Sequence, residues 1–174
     1  MAVVAQDQRM EELRRLGASV PLRQLAAGEC IHEVFRGSCL GPPYRVYHGA
    51  QVPQGPDFVP LWDHGSRVCG LREGLGGLEF IDFSIEAPLE FEHLAGTEQG
   101  FWTTRFDFLY ECEVSGEALR QAANRVGWQF LERYLADREL AEEHLRTFRD
   151  HRLWLRQLVA DIDRDAATPS NKHP

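Results

Sequence analysis

Lysine and paired cysteines are what this sequence most clearly lacks. Lys172 is the only lysine among 19 lysine and arginine residues. The four cysteines, Cys30, Cys39, Cys69 and Cys112, form no Cys-x-x-Cys pair, which argues against a zinc knuckle. The start of the chain has no apolar signal core, and no run approaches the ~20 apolar residues of a membrane span. We therefore expect a cytoplasmic protein whose reduced cysteines act as small buried side chains.

Strong catalytic and metal motifs are also missing. The glycine-rich run 74–77 precedes no Lys-Ser/Thr pair, so a hairpin turn explains it better than a phosphate loop. The segment 90–93 has Glu-x-x-His spacing, but it occurs once, whereas a di-iron site needs two copies. His144 and His151 stand about two helical turns apart, too far to chelate one ion. We predict no metal and no cofactor.

Acidic and aromatic residues are what the chain has in quantity. With 27 acids against 19 bases the formal net charge is −8, which disfavours unaided binding to nucleic acid or an anionic membrane. Ten phenylalanines, four tryptophans and 43% hydrophobic residues supply a core. The length predicts a single domain over residues 1–165. The polar, proline-containing end, 166–174, predicts a flexible tail.

The stretch from Phe58 to Glu86 carries the clearest strand signals. Apolar residues dominate 58–62, 67–71 and 78–85, and glycines separate the last two runs. Pro60 lacks an amide donor, so we predict that the first strand lies at a sheet edge. The glycines predict a hairpin of the second and third strands. Apolar residues of both parities in the third strand favour burial of both its faces, or a bulge.

Two earlier segments favour strands as well. Cys30–Phe35 and Tyr44–His48 partly alternate apolar and polar residues. We predict an α+β fold, in which helices cover a bent antiparallel sheet of about four to six strands built from about residue 30 to residue 86. The segment Glu90–Ala95 has the pattern of a helical turn.

Apolar residues spaced by three or four predict a helical C-terminal part and one helix near the start of the chain. These helices cover about 7–16, 97–111, 115–136 and 138–163. Thr97, Ser115 and Asp137 precede three of them as N-cap residues. The last helix is long and charged, and we predict that it packs outside the main body.

Two sets of side chains on these helices need an explanation. One helix cannot turn all of its aromatic residues toward a single core, so some must meet another layer, a ligand or a partner. They are Phe101, Trp102, Phe106, Phe108 and Tyr110. The last helix carries arginines at spacings that place them on one face, which we interpret as a solvated face. They are Arg146, Arg149, Arg152 and Arg156.

The middle of the chain resembles a known family. The run Pro60–Trp62, the hairpin, the strand Phe80–Glu86 and the helix Glu98–Glu111 are together similar to the SUKH superfamily. Those small bacterial proteins pack helices on a strongly bent sheet, and many are immunity proteins that neutralise polymorphic toxins by binding them. The resemblance covers roughly Leu13 to Glu111. It implies the fold and a binding function, and it assigns no site residue.

Charge and resemblance together predict a non-enzymatic, protein-binding module. The expected partner is a protein, with a basic toxin as the partner that opposite charge favours. The candidate contact acids are in or near turns or at strand positions that we predict to be exposed. They are Asp57, Asp63, Glu73, Glu79 and Asp82. We expect a monomer or a homodimer.

Two other classes of function stay open. An enzyme or small-molecule-binding protein would use a pocket of histidines and carboxylates, formed by His64, Asp82, Glu86 and His93. It requires these side chains to converge in one concave site. A structural oligomer subunit would instead use the last helix as its interface.

Overall fold

The computed structural model describes residues 2–49, 51–52, 57–74, 77–87 and 90–168. Its four strands form one antiparallel sheet in the order β1-β2-β3-β4. The strands are β1 (Phe58–His64), β2 (Arg67–Gly74), β3 (Gly77–Ser84) and β4 (Phe91–Ala95). The helices are α1 (Arg9–Arg15), α2 (Val20–Ala27), α3 (Glu98–Glu111), α4 (Gly116–Val126), α5 (Leu131–Ala141) and α6 (Phe148–Ala167). The predicted α+β class with a helical C-terminal part is confirmed.

The central hairpin forms as predicted. Strands β2 and β3 pair continuously from Gly74 opposite Gly77 to Arg67 opposite Ser84, while the two middle residues of the predicted turn lie outside the described residues. Strand β1 lies at the edge of the sheet, consistent with Pro60. Residues 80–83 of β3 are all buried, so both faces of this strand are covered.

The two faces of the sheet pack against different parts of the chain. One face belongs to the main core, which holds apolar residues from every helix, including Leu13 of α1 and Ile162 of α6. The opposite face carries a smaller cluster around Phe58 and Ile81. Gly70 makes this cluster possible, because a Cβ there would lie only 2.4 Å from the Phe58 ring.

Two predicted strands and one predicted helical turn are wrong. Within Cys30–Phe35, residues Glu33–Phe35 form a 3₁₀-helical turn. Within Tyr44–His48, residues Arg45–Tyr47 form another. Glu90–Ala95 contains edge strand β4 instead of a helical turn, so the sheet runs from residue 58 to residue 95. A short segment of alternating apolar and polar residues can form a turn with one buried side as well as a strand, and tertiary contacts decide which of the two forms.

The C-terminal helices begin and end at other residues than predicted. Gly127, with φ of 70°, ends α4, so the predicted helix over 115–136 is two helices. The predicted cap Asp137 lies inside α5, and α6 begins instead at Thr147, whose hydroxyl accepts a hydrogen bond from the Asp150 backbone N–H. Thr97 and Ser115 cap α3 and α4 as predicted. The predicted tail, 166–174, overlaps the end of α6, and residues 169–174 lie outside the described residues.

Helix α6 does not pack outside the main body. Leu158, Val159 and Ile162 are buried in the main core beside residues of α3 and of the sheet. The prediction was wrong because charged residues recur along the whole of α6, although its apolar residues are concentrated on one face. That face completes the core and brings the first turns of α6 toward the sheet.

Candidate functional site

A row of four side chains crosses one face of the sheet, one from each strand. The row is Trp62, Cys69, Asp82 and Glu92, and each is the cross-strand neighbour of the next. Neighbouring strands are about 4.8 Å apart, so these side chains stand side by side. All four line a cavity of about 400 Å³. Its volume is in the range of small-molecule sites.

Helices α3 and α6 form the other walls of this cavity. Arg105 and Phe108 come from α3. The residues from α6 recur every three or four positions and so lie along one stripe of the helix. They are Phe148, His151, Arg152, Leu155, Arg156 and Val159. Phe148 is 75% exposed and Phe108 is 41% exposed, so these two rings mark the mouth of the cavity.

An ion-pair cluster occupies one side of the cavity. Arg67 Nε lies 2.9 Å from Asp82 Oδ1, and Arg67 Nη2 lies 3.5 Å from Glu92 Oε2. Glu92 Oε1 also accepts from Arg152 at 2.8 Å and lies 3.7 Å from Arg156 Nη2. On the predicted solvated face of the last helix, Arg156 is exposed as expected, whereas Arg152 is half-buried, and both lie close to Glu92 of β4.

Asp82 lies deeper in the same cluster. Its exposure is only 5%, and burial raises the pKa of its carboxyl above the ordinary aspartate value, while Arg67 and Arg105 act in the opposite direction. The predicted exposure of Asp82 is wrong, because strand parity places it beside Cys69, on the face that α3 and α6 cover. A carboxylate buried in this position is not accessible for direct contact with a protein partner.

Arg105 forms no ion pair in the part of the chain that the structure describes. The residue is half-buried, and its Nε donates to Thr104 Oγ1 at 3.3 Å. Its Cζ lies 5.7 Å from the centre of the Phe101 ring. No described carboxylate lies within ion-pair distance of it, whereas Arg67 and Arg152 each have one. The terminal nitrogens of Arg105 are therefore donors for something else.

Trp62 supplies a second unsatisfied donor. Its side chain is 1% exposed, and its indole Nε1 has no hydrogen-bond acceptor among the described residues. Buried polar groups are nearly always hydrogen-bonded, so an orphan N–H on a residue that lines a cavity is a candidate donor for an acceptor from outside the chain. The residues that line the cavity thus include one such donor on β1 and a guanidinium on α3.

Asp107 joins three elements behind the cavity. Its Oδ1 accepts from the Tyr134 hydroxyl at 3.0 Å and lies 3.1 Å from His151 Nε2. Burial raises the pKa of the Asp107 carboxyl, and its contacts with His151 and Tyr134 act in the opposite direction. Burial, followed by the neighbouring Asp107, raises the pKa of Tyr134. Asp107 thereby fixes the orientation of the His151 ring at the cavity wall.

Cys69 has the chemistry of a buried thiol. Burial raises its pKa, so the thiol stays protonated at neutral pH and is a poor nucleophile. Cys39 is also fully buried with a raised pKa. The four cysteines are free, and only Cys112 is exposed. The cavity is therefore suited to binding rather than to thiolate chemistry.

Three of the four residues predicted for a histidine–carboxylate pocket line this one cavity. They are His64, Asp82 and His93. His64 meets Phe108 at the mouth, with ring centroids 6.0 Å apart. Glu86 is exposed and lies beside a separate surface depression, so it is not brought together with the other three.

Three of the predicted contact acids are paired within the chain, outside this cavity. Asp63 accepts hydrogen bonds of 2.7–3.1 Å from backbone N–H groups of the second 3₁₀-helical turn. Glu73 lies 3.4 Å from Arg15. Glu79 lies 2.8 Å from Arg72. Asp57 is exposed next to β1. As contacts for a protein partner these four acids stay predictions.

The sequence-based prediction missed the donors that distinguish this cavity. Arg105 and Asp107 are charged residues in a helix of mostly aromatic and small side chains, and that contrast was a usable signal. His151 lies four residues before Leu155, on the apolar stripe of α6, and this spacing was the signal that could have placed it. Nothing local marked the indole of Trp62 as unsatisfied.

Among the described residues, no group of three His, Cys, Asp or Glu side chains is arranged to hold a metal ion. None of the described helices is both long enough and apolar enough to cross a bilayer. No protein-family model, curated protein or solved structure matches this chain. The resemblance to the SUKH superfamily therefore stays a prediction.

Proposed function

We propose that this protein binds a small organic anion in the cavity between the sheet, α3 and α6. The observation that carries the proposal is that two residues lining one cavity, Arg105 and Trp62, have donors without an acceptor among the described residues. These donors are the terminal guanidinium nitrogens of Arg105 and the indole N–H of Trp62. A carboxylate or phosphate group accepts from both kinds of donor. The planar guanidinium suits such groups especially well, since it can donate two parallel hydrogen bonds.

Energetics favour a ligand at the Trp62 indole N–H. Leaving this buried donor unpaired costs about 1–3 kcal/mol. A ligand that supplies the acceptor removes this cost on binding. The two donors therefore act as a preorganised recognition site for the anionic end of a ligand.

The rest of the cavity suits an apolar ligand body. Leu155 and Val159 line it from α6, and Phe108 and Phe148 mark its mouth. Apolar walls with a few convergent polar groups are the usual composition of small-molecule sites. We therefore expect the ligand to carry an aromatic or aliphatic body behind its anionic group.

A titration series tests this proposal. Isothermal titration calorimetry would compare phenylpropanoate and phenyl phosphate with the neutral phenylpropanamide. We expect at least one of the anions to bind about ten-fold more tightly than the amide, because a hydrogen bond to a charged group contributes about 1.5–3 kcal/mol. Arg105→Gln should remove this preference. The matched control, Arg125→Gln, changes an exposed arginine of α4 and should leave it intact.

A second variant keeps the test independent of folding defects at Arg105. Trp62→Phe keeps an aromatic ring and removes the N–H together with the five-membered ring, so it should weaken anion binding several-fold. Because Trp62 is buried in the main core, the space left behind should also lower the stability of the unliganded protein. Thermal unfolding with and without ligand measures both effects. If the wild-type protein binds neither the carboxylate nor the phosphate ester at millimolar concentration, the proposal is wrong.

Neutralisation of a basic toxin by stoichiometric binding stays a prediction. It draws on the net charge of −8 and on the resemblance described above. A pull-down with the tagged protein from its host, at low and at moderate salt, tests it. A single basic partner near one-to-one, weakened by salt, would support it, and capture of no basic protein would count against it.

A further inference from the structure

The charges around the cavity are nearly balanced. Four arginines and three carboxylates line it. Glu92 and Asp82 form ion pairs with Arg67, Arg152 and Arg156, with nitrogen–oxygen distances of 2.8–3.7 Å. Arg105 alone has no carboxylate partner among the described residues. The cavity therefore has one cation available for a ligand.

We infer that Glu92 limits the number of anionic groups on the ligand, so that the cavity accepts an organic anion with one such group, such as a monocarboxylate with an apolar body, and excludes ligands with a second one. The inference rests on the proposed function and makes it more specific. Glu92 is then a specificity-determining residue, because its carboxylate keeps Arg152 and Arg156 paired.

The position of Glu92 fits this role. Glu92, Arg152 and Arg156 line the cavity and also a second one that shares these residues with it. The ion-pair cluster therefore stands where the two cavities meet. A ligand whose anionic end reaches Arg105 presents the rest of its structure either to the apolar mouth or to this cluster.

A second anionic group on the ligand would meet an unfavourable environment. It would approach the Glu92 carboxylate, and it could reach Arg152 only by displacing Glu92 from a 2.8 Å contact. Like charges brought together in an interface cost several kcal/mol. A neutral residue at position 92 would free the arginines for a second carboxylate.

The test compares two ligands that differ by one carboxylate. Phenylpropanoate carries one, and phenylsuccinate carries a second on the same skeleton. By calorimetry at neutral pH we expect the wild-type protein to bind the monoanion at least about ten-fold more tightly than the dianion. In Glu92→Gln the ratio of the two dissociation constants should fall about ten-fold or reverse. Glu86→Gln removes the same charge at an exposed site away from the cavity and should leave the ratio unchanged.

The outcomes separate this inference from the proposed function. Equal binding of both ligands by the wild-type protein would overturn the inference and leave the proposed function standing. A ratio that Glu92→Gln does not change would overturn the role of Glu92. If the wild-type protein binds none of the anions, both proposals fail. The ratio of the two dissociation constants in the wild-type protein tests the preference for one carboxylate even if Glu92→Gln does not fold.

Discussion

Buried carboxylates are the residues whose ionisation most affects this molecule. Asp107 lies behind the cavity wall with Tyr134 and His151, and burial raises its pKa above the ordinary aspartate value. The folded state therefore binds a proton more readily than the unfolded state does. The contribution of Asp107 to stability is greatest at acid pH. It falls as the pH rises from the ordinary aspartate pKa through the raised pKa of the folded state, and it is constant above that pKa.

Asp107→Asn should reveal this dependence. The amide cannot ionise, so the variant lacks the loss of stability that the wild-type protein shows over that window. The free energy of unfolding of the variant relative to the wild type should therefore rise with pH across the window and then level off. Urea unfolding at several pH values between about 4 and about 8 measures it.

Asp161→Asn is a control of opposite sign. Hydrogen bonds from Gln157 and Arg164 lower the pKa of Asp161, so the wild-type protein gains stability as pH rises toward the ordinary aspartate value. Relative to the wild type, this variant should lose stability over that range, which urea unfolding at several pH values below about 4 measures. If the stability of both variants relative to the wild type changed with pH in the same direction, burial would not be what determines the pKa of Asp107.

Residue types near the strands were enough to predict part of the cavity. His64, Asp82 and His93 are close to the sheet in sequence, and they line one site. Arg105 and His151 come from α3 and α6, and only the packing of these helices on the sheet brings them there. A single sequence carries little information about such long-range contacts.

One carboxylate joins two elements of the fold, α6 and the start of α3. Asp163 of α6 accepts hydrogen bonds from the backbone N–H groups of Gly96 and Thr97 at 2.7 and 2.9 Å, and from the Thr97 hydroxyl at 2.6 Å. Gly100 makes room for it, since a Cβ there would lie 2.2 Å from Asp163 Oδ1. This contact holds α6 in the position that closes the cavity.

Asp163→Ala should loosen α6 and weaken ligand binding together. We expect a loss of about 2–3 kcal/mol in the free energy of unfolding, because the variant loses charge-assisted bonds to partly buried N–H groups. Asp165→Ala removes only an exposed contact with Arg133, so it should cost less than about 1 kcal/mol. Urea unfolding and phenylpropanoate titration measure both effects. Equal losses in the two variants would contradict the linking role of Asp163.

Local signals decided which elements the sequence could predict. The β2–β3 hairpin has apolar runs on both sides of a glycine-rich turn, and it forms in the expected register. Tyr44–His48 has a similar alternation but becomes a 3₁₀-helical turn, whose first N–H groups donate to Asp63. That carboxylate lies in β1, and no pattern within the segment indicates it.

At the scale of the whole molecule, one core connects the sheet with all six described helices. It extends from Leu13 in α1 through Trp102 in α3 to Ile162 in α6, and the smaller cluster on the opposite face shares β1, β2 and β3 with it. Elements that share a core unfold together, because removing one exposes the apolar surface of the others. This connection supports the predicted single domain.

The molecule should therefore unfold in one transition. Tryptophan fluorescence reports the core and far-ultraviolet circular dichroism reports the helices, and both should give the same midpoint. In calorimetry, the measured enthalpy should equal the van't Hoff enthalpy. Ile162→Val in α6 should cost about 1 kcal/mol and lower the midpoint of both signals together by about 2–4 °C. An early loss of helical signal, with the fluorescence transition left in place, would instead show that the C-terminal helices form a separate unit.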